Sequence, residues 1–231
     1  IVGKNNATLD SATVKGLTLS INNDNQAFVG GVVGDNYGSL QNSSASTVDI
    51  NENSATMIYA GGIIGYNNKT VSLSTAYKVN ITLNTVNTSS RAGGISAYNS
   101  ASGELKTSTW TNGNILAYAV GGACADNYGS ITEISVGDES LGLGVIKGVH
   151  VAGLVYTNHE NASCVNNLTI SVIGSISNDG SASGVAYTMK NTSIITQTAC
   201  GVQFNSVNSI ENDFAESTCR FKAITLTTPI N

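Results

Sequence analysis

The residues with chemistry to offer are few and scattered. His150 and His159 stand nine residues apart with no thiol cluster beside them, which suits packed or surface imidazoles better than a catalytic or zinc-binding pair. Asp35, Asp126 and the pair Asp138-Glu139 fall where turns are expected, and Asp35 and Asp126 share one phase of a repeat. That phase suits a carboxylate capping its own turn rather than two carboxylates facing across a glycosidic bond. Stacked Asp motifs for calcium are absent. The expectation is no catalytic residue, no metal and no cofactor.

Two kinds of covalent chemistry remain. Cys124, Cys164, Cys200 and Cys219 lack CxxC spacing. Their even number fits two disulfides in an oxidising compartment. Three pairings are open, and Cys124 with Cys164 and Cys200 with Cys219 are the expected ones. Acceptors for N-linked glycans, N-x-[ST], occur at Asn6, Asn42, Asn68, Asn80, Asn87, Asn161, Asn167 and Asn191. Asn6, Asn68, Asn161 and Asn191 fall in equivalent turns. Sugars there would line one edge of the molecule and blunt lateral aggregation.

What positions all of these is a repeat. AGGIIGYNN, from Ala60 to Asn68, has relatives in VGGVVGDNY from Val29, AGGISAYNS from Ala92, VGGACADNY from Val120, VAGLVYTNH from Val151 and ASGVAYTMK from Ala182. The second small residue of each marks Gly31, Gly62, Gly94, Gly122, Gly153 and Gly184, and successive subtraction gives steps of 31, 32, 28, 31 and 31. A near-fixed period of this size is the signature of a solenoid or array. Short apolar runs around each marker, bounded by Gly and Asn, read as buried strands. The glycines let a neighbouring strand approach or the chain bend. Five residues after each marker stand Asn36, Asn67, Asn99, Asn127 and Asn158, and Met189 breaks the series. Asparagine suits a turn, and asparagines stacked at one corner can bond amide to amide as a ladder. Tyr37, Tyr66, Tyr98, Tyr128, Tyr156 and Tyr187 recur nearby, which predicts a stacked aromatic corner.

Further strands are expected within each repeat, as at Thr70 to Leu73 and Val79 to Leu83. Three strands and three corners make one coil. The fold expected is therefore all-β: a β-solenoid like a parallel β-helix, of about 31 residues per coil and roughly seven coils, rising about 4.8 Å per coil. The array is expected over 1–210, and 211–231 reads as a C-terminal cap or extended arm. Only 11% of residues are charged, the net charge is −5, and Pro229 is the one proline. No basic run exists, which argues against nucleic acid. No apolar stretch nears the length of a membrane-spanning helix, and no signal-like segment opens the chain, so a mature form is expected.

Shifted by 62 positions, Ile1 to Leu9 lies on Ile63 to Val71, so the chain opens inside the marker strand. A solenoid end is an edge that invites another strand. Ile1, Val2 and Gly3 with Ile224 and Leu226 are the expected joint through which copies of the chain would stack head to tail. The competing expectation is a piece of a longer array.

The cores Gly31-Val32-Val33-Gly34 and Gly62-Ile63-Ile64-Gly65, each followed by a Tyr/Asn turn, resemble the GLUG-motif repeat. In the other copies Ala97, Ala125, Tyr156 and Tyr187 take the place of the second glycine. The resemblance covers residues 1 to about 205. It implies a β-solenoid in a large secreted or cell-surface protein and no catalytic residues. The function expected is structural and non-enzymatic: a subunit of an extracellular, glycosylated filament or surface coat. The alternatives are an adhesin or carbohydrate-binding solenoid, and then a β-helical carbohydrate-active enzyme.

Overall fold

The computed structural model describes residues 1–22, 25–52, 57–138, 140–167, 169–190, 194–197, 201–205 and 222–224. Every regular element among them is a β-strand. The chain winds as a parallel β-solenoid of about five turns with about 31 residues per turn. Val2 pairs with Val33, Val33 with Ile64, Ile64 with Ser96, Ser96 with Cys124 and Cys124 with Val155. The sequence period is thus the register of the sheets.

Three sheets wall the core. The first holds seven strands, among them Val33–Asn36, Ile64–Asn67, Ser96–Asn99, Cys124–Asn127 and Val155–Asn158. The second also holds seven, including Thr70–Ser72, Glu104–Lys106 and Ser130–Thr132. The third has thirteen strands, because a turn can cross it in two segments, as Thr75–Thr82 and Arg91–Gly93 do. Inward residues stack on their own kind from turn to turn: Leu40, Val71, Leu105 and Ile131 from the second sheet, and Val48 and Val79 from the third, are all fully buried. Such columns of β-branched and aliphatic side chains fill a pleated interior well.

The strands are not straight runs of alternation. In Ser44–Glu52 the inward residues are Ala45, then Val48 and Ile50, and the skipped step falls at Thr47, whose φ is 54°. Gly16 and Lys78, at the same register position, have φ of 66° and 52°. A second left-handed column turns the corner between the second and third sheets at Ser11, Asn42, Leu73, Thr107 and Glu133.

The marker glycines divide two strands. Ile58–Gly61 lies in the third sheet and Ile64–Asn67 in the first, with Gly62 and Ile63 bending between them. The bend is tight because turns touch there. A Cβ on Gly62 would come within 2.1 Å of the Gly94 carbonyl oxygen, one on Gly94 within 2.2 Å of Gly122, and one on Gly122 within 2.1 Å of Gly153. None of these has positive φ, so glycine is required for space rather than for backbone freedom. Consequently Val2–Asn5 is a complete strand of the first sheet, registered on Val33–Asn36, rather than half of a longer marker strand. Lys222–Ile224 pairs in parallel with Gly201–Asn205 in the third sheet. The rest of 211–231, Leu226 included, lies outside the described residues.

Candidate functional site

Side chains with chemistry gather at two columns. The first runs down the corner between the first and second sheets. Asn5 donates its amide to Asn36 Oδ1 at 2.8 Å, Asn36 to Asn67 at 2.9 Å, Asn67 to Asn99 at 2.9 Å, Asn99 to Asn127 at 2.8 Å and Asn127 to Asn158 at 2.7 Å. Asn36, Asn67, Asn99, Asn127 and Asn158 are fully buried. Each amide carries a donor and an acceptor end, so a stack can satisfy itself without water. The same side chains hold their own turns: Asn127 Oδ1 accepts from Gly129 N at 3.2 Å, and Asn67 Nδ2 donates to Lys69 O at 2.6 Å. At register Asn158 faces Met189.

A smaller ladder, of serines, occupies the next corner. Ser43, Ser74 and Ser108 are buried. Ser74 Oγ accepts from Ser43 N at 3.3 Å and donates to Ser72 O at 2.9 Å. Ser108 Oγ repeats both bonds, to Ser74 N at 3.2 Å and Lys106 O at 2.9 Å. The available signal was a serine recurring 31 and 34 residues on, obscured by the abundance of serine elsewhere.

The second column lies outside, in the crease where the third sheet folds onto the first at the glycine bend. Its rings stack along the solenoid axis. Centroids of Tyr37 and Tyr66 are 5.6 Å apart, those of Tyr66 and Tyr98 5.3 Å, and those of Tyr98 and Tyr128 5.0 Å. His159 continues the column 3.7 Å from Tyr128, nearly parallel to it. Phe28 and Tyr59 of the third sheet stack at 5.1 Å and pack onto Tyr66 and Tyr98. These spacings follow from the strand separation of about 4.8 Å. Lys4 covers the Tyr37 ring, its Nζ 4.5 Å from the centroid. Tyr156 and Tyr187 form a second stack at 5.2 Å, joined by His150.

Between the two stacks sits a charged cluster. Asp126 is buried and takes Arg91 Nε at 3.5 Å and His159 Nε2 at 3.2 Å. Arg91 lies over the Tyr156 ring at 5.1 Å and donates to the Thr88 and Ser90 carbonyls. His150 Nδ1 meets Ser181 Oγ at 3.1 Å, and Ser181 Oγ meets Tyr187 Oη at 2.8 Å. Burial raises the Tyr98, Tyr59 and Tyr156 phenols above their ordinary value. Asp35 and Asp126 sit on strands of the first sheet rather than in turns, and burial raises the Asp35 carboxyl. Asp138 does cap a turn, accepting from the backbone of Ser140 and Leu141. Glu139 lies outside the described residues. The arrangement pairs these groups with one another. Phe28 and Tyr59, which the sequence pattern places only among the apolar residues before the marker, join the aromatic column, and Arg91 and Ser181 carry no sequence signal of their own, although Phe28 and Tyr59, and His150 and Ser181, stand one register step of 31 residues apart.

The expected disulfide between Cys124 and Cys164 is absent: both are free and buried. They belong to different sheets, Cys124 registered on Val155 and Cys164 on Ile131, and each thiol turns to another partner. Cys124 Sγ approaches Asp126 O at 3.4 Å, while Cys164 Sγ lies 3.5 Å from both Asn127 Nδ2 and Asn158 Oδ1. Burial pushes both thiols up. Cys200 and Cys219 lie outside the described residues.

Of the glycan acceptors, Asn6, Asn42 and Asn161 are exposed and Asn68, Asn80 and Asn87 half-buried. Asn68 Oδ1 accepts from Ser100 Oγ at 2.6 Å, and Asn87 Oδ1 accepts from Ser89 N at 3.0 Å. Asn80 donates to Asp49 at 2.8 Å and accepts from Asn114 N at 3.0 Å. Asn167 ends the strand Ser163–Asn167, and Asn191 lies outside the described residues. Ile1 is exposed and Ile224 ends the strand Lys222–Ile224. Compared with protein-family models, curated proteins and solved structures, the chain matches none.

Proposed function

We propose that this chain is a structural β-solenoid of a secreted or cell-surface protein, built to stack with copies of itself into a glycosylated filament or coat. The observation that carries the reading is how the polar and aromatic side chains are used. The asparagines bond one another down the axis, the rings cover one another's faces, and Asp126 is held between Arg91 and His159. A sugar-binding platform needs a bare ring face, and stacked rings offer edges. A stack of this kind gains from each added turn.

Stacking would use the strand edges. In the first turn Val2, Leu9, Leu17, Leu19 and Val29 are only half-buried against the core, whereas Val33, Leu40, Val48, Ile50 and Ala60, their register partners, are fully buried. A coil of the same cross-section would extend all three sheets and the asparagine ladder at once, by strand addition. On this reading the array runs to about seven coils, and N-linked glycans on the exposed turns keep neighbouring rods apart. GLUG-type repeats are the kinship it suggests.

Electron microscopy of material from the native source tests it. Fibres with an axial repeat of about 35 Å, seven coils at strand spacing, are the expected result. Short isolated rods at every concentration would sink the stacking proposal, and bare polypeptide masses would sink the glycans.

A further inference from the structure

From the aromatic column we infer a covalent modification site: Tyr98 and Tyr128 are placed to be joined ring to ring, as dityrosine, by a peroxide-dependent one-electron oxidant. The join would staple two successive turns where the structure has no disulfide among its described residues.

The geometry singles out this pair. The ring centroids are 5.0 Å apart with planes inclined by 27°. Among the described residues no other two tyrosine rings have their centroids this close; the next pairs stand at 5.2 and 5.3 Å. Tyr66 stacks on the other face of Tyr98 at the longer distance of 5.3 Å. In the second stack the Tyr187 hydroxyl is engaged by Ser181. Tyr98 and Tyr128 are half-buried, open enough for a small diffusible oxidant or radical and held firmly enough that neither ring can swing far away. Sequence separation is 30 residues, by subtraction, yet parallel register between Ser96–Asn99 and Cys124–Asn127 makes the two rings near neighbours.

The step balances. Each phenol loses one electron and one proton, giving two phenoxyl radicals. Their ortho carbons form one C–C bond, and the two ortho hydrogens return to the oxygens as the rings regain aromaticity. The net loss is two electrons and two protons, which reduce one hydrogen peroxide to two waters through the peroxidase-type oxidant. Coupling requires the two rings to turn from face to face to edge to edge, which takes Tyr98 off Tyr66 and Tyr128 off His159. The inference rests on ring geometry within one chain and holds whether or not copies stack.

The test treats dilute purified full-length protein with a haem peroxidase and limiting hydrogen peroxide. Dityrosine fluorescence is read in the monomer peak after size exclusion, and tryptic peptides are sequenced by mass spectrometry. The expected product joins the peptide ending at Lys106 to the one ending at Lys147, with fragments placing the bond at Tyr98 and Tyr128 rather than Tyr118. Tyr98→Phe and Tyr128→Phe, which remove only a hydroxyl, each lose that peptide and most of the monomer fluorescence. Tyr77→Phe, away from the column, keeps both. Oxidation in denaturant serves as the folded-state control and should lose the selectivity. Dityrosine confined to dimers, or monomer fluorescence indifferent to Tyr98→Phe and Tyr128→Phe, overturns the inference.

Discussion

One stretch of each turn never changes length and another does. From the residue before the marker to the ladder asparagine, Gly30 to Asn36, Gly61 to Asn67, Gly93 to Asn99, Gly121 to Asn127 and Ala152 to Asn158 are each six residues apart. Across the third sheet, Val14 to Gly30, Ala45 to Gly61 and Val136 to Ala152 are each 16 residues, but Ala76 to Gly93 is 17 and Trp110 to Gly121 is 11. The constant stretch joins the glycine bend to the buried amide ladder, and both ends are locked to the turns above and below. An inserted residue would misalign two columns at once. On the third face extra residues can loop outward without disturbing either, as 84–89 do. The period of the solenoid is thus enforced on one side and merely tolerated on the other.

The sharpest way to break the constant side is at the glycines. Gly94→Val places a Cβ 2.2 Å from the Gly122 carbonyl oxygen and 2.6 Å from the Trp110 ring. Backbone on one side and a packed indole on the other leave nothing that can yield. Overpacking commonly costs about 1–3 kcal/mol and sometimes more, and here the loss should exceed about 4 kcal/mol. The measurement is recovery of soluble protein and its Tm. A folded variant with a near-normal Tm would mean that the turns can part at this bend.

The variable side has its own fixed point. The short crossing from Trp110 is filled by the indole itself, which is fully buried and donates to Val79 O at 3.4 Å. Ala45 and Ala76 hold the equivalent place in longer turns. Gly94, Gly113 and Gly144 each leave room for the ring, with a hypothetical Cβ at 2.2–2.7 Å from it. Trp110→Ala should therefore cost about 3–5 kcal/mol, read by denaturant unfolding. Next in size is Asn67→Leu, which leaves the buried Asn36 donor and the Asn99 acceptor without each other's bridge. Orphaning buried polar groups costs about 1–3 kcal/mol each, so a loss of about 3 kcal/mol is expected. The equivalent change at the exposed Asn6 should be within about 0.5 kcal/mol. Equal effects at the two positions would show that the ladder contributes nothing beyond its turns.

Much of this was legible beforehand. The period, the all-β solenoid and the asparagines that face the ladder follow from Gly, Asn and aliphatic residues recurring at one step. Asn5 belonged to the same series and was the rung missed. The left-handed corners at Leu73 and Glu133 gave no signal, because the neighbouring turns, not the residue types, impose φ of 51° and 56° there. The marker looked like one strand because both halves are apolar, and only contact between turns shows the bend. Cys124 and Cys164 sit about one turn apart in the sequence, which suggests a pair, but the chain places them on different walls. The Arg91, Asp126 and His159 cluster draws on three separate turns and is invisible to any local reading. Shortening the loop at 84–89 tests the tolerance of the third face. Its tip, Val86, is exposed, and a loop matched to the shorter crossing should change stability by less than about 1 kcal/mol, since loop length enters only logarithmically. A collapse of the fold would make the third face as constrained as the first.

The smallest effect expected separates two carboxylates at the same register position of the constant stretch. Asp126 is paired with Arg91 and His159, whereas Asp35 Oδ1 is buried without a hydrogen-bond partner. Burial raises the Asp35 carboxyl above its ordinary 3.8, with Lys4 opposing. A raised folded-state pKa means that folding favours the protonated acid. The associated stability is present below the unfolded value and is lost as the pH climbs through the folded one. At neutral pH Asp35 is therefore a small burden, and Asp35→Asn, which keeps the shape of the neutral acid, should raise Tm slightly. Because Asp35 is only half-buried and solvent still screens its carboxylate, the gain should stay below about 1 kcal/mol. The difference from wild type should shrink as the pH falls through the raised pKa and vanish below 3.8. Asp126→Asn should have the opposite sign at neutral pH, because it removes the charge that Arg91 meets. Thermal melts of the two variants across that pH range decide it, and a gain at Asp35 that persists in acid would rule out ionisation as its cause.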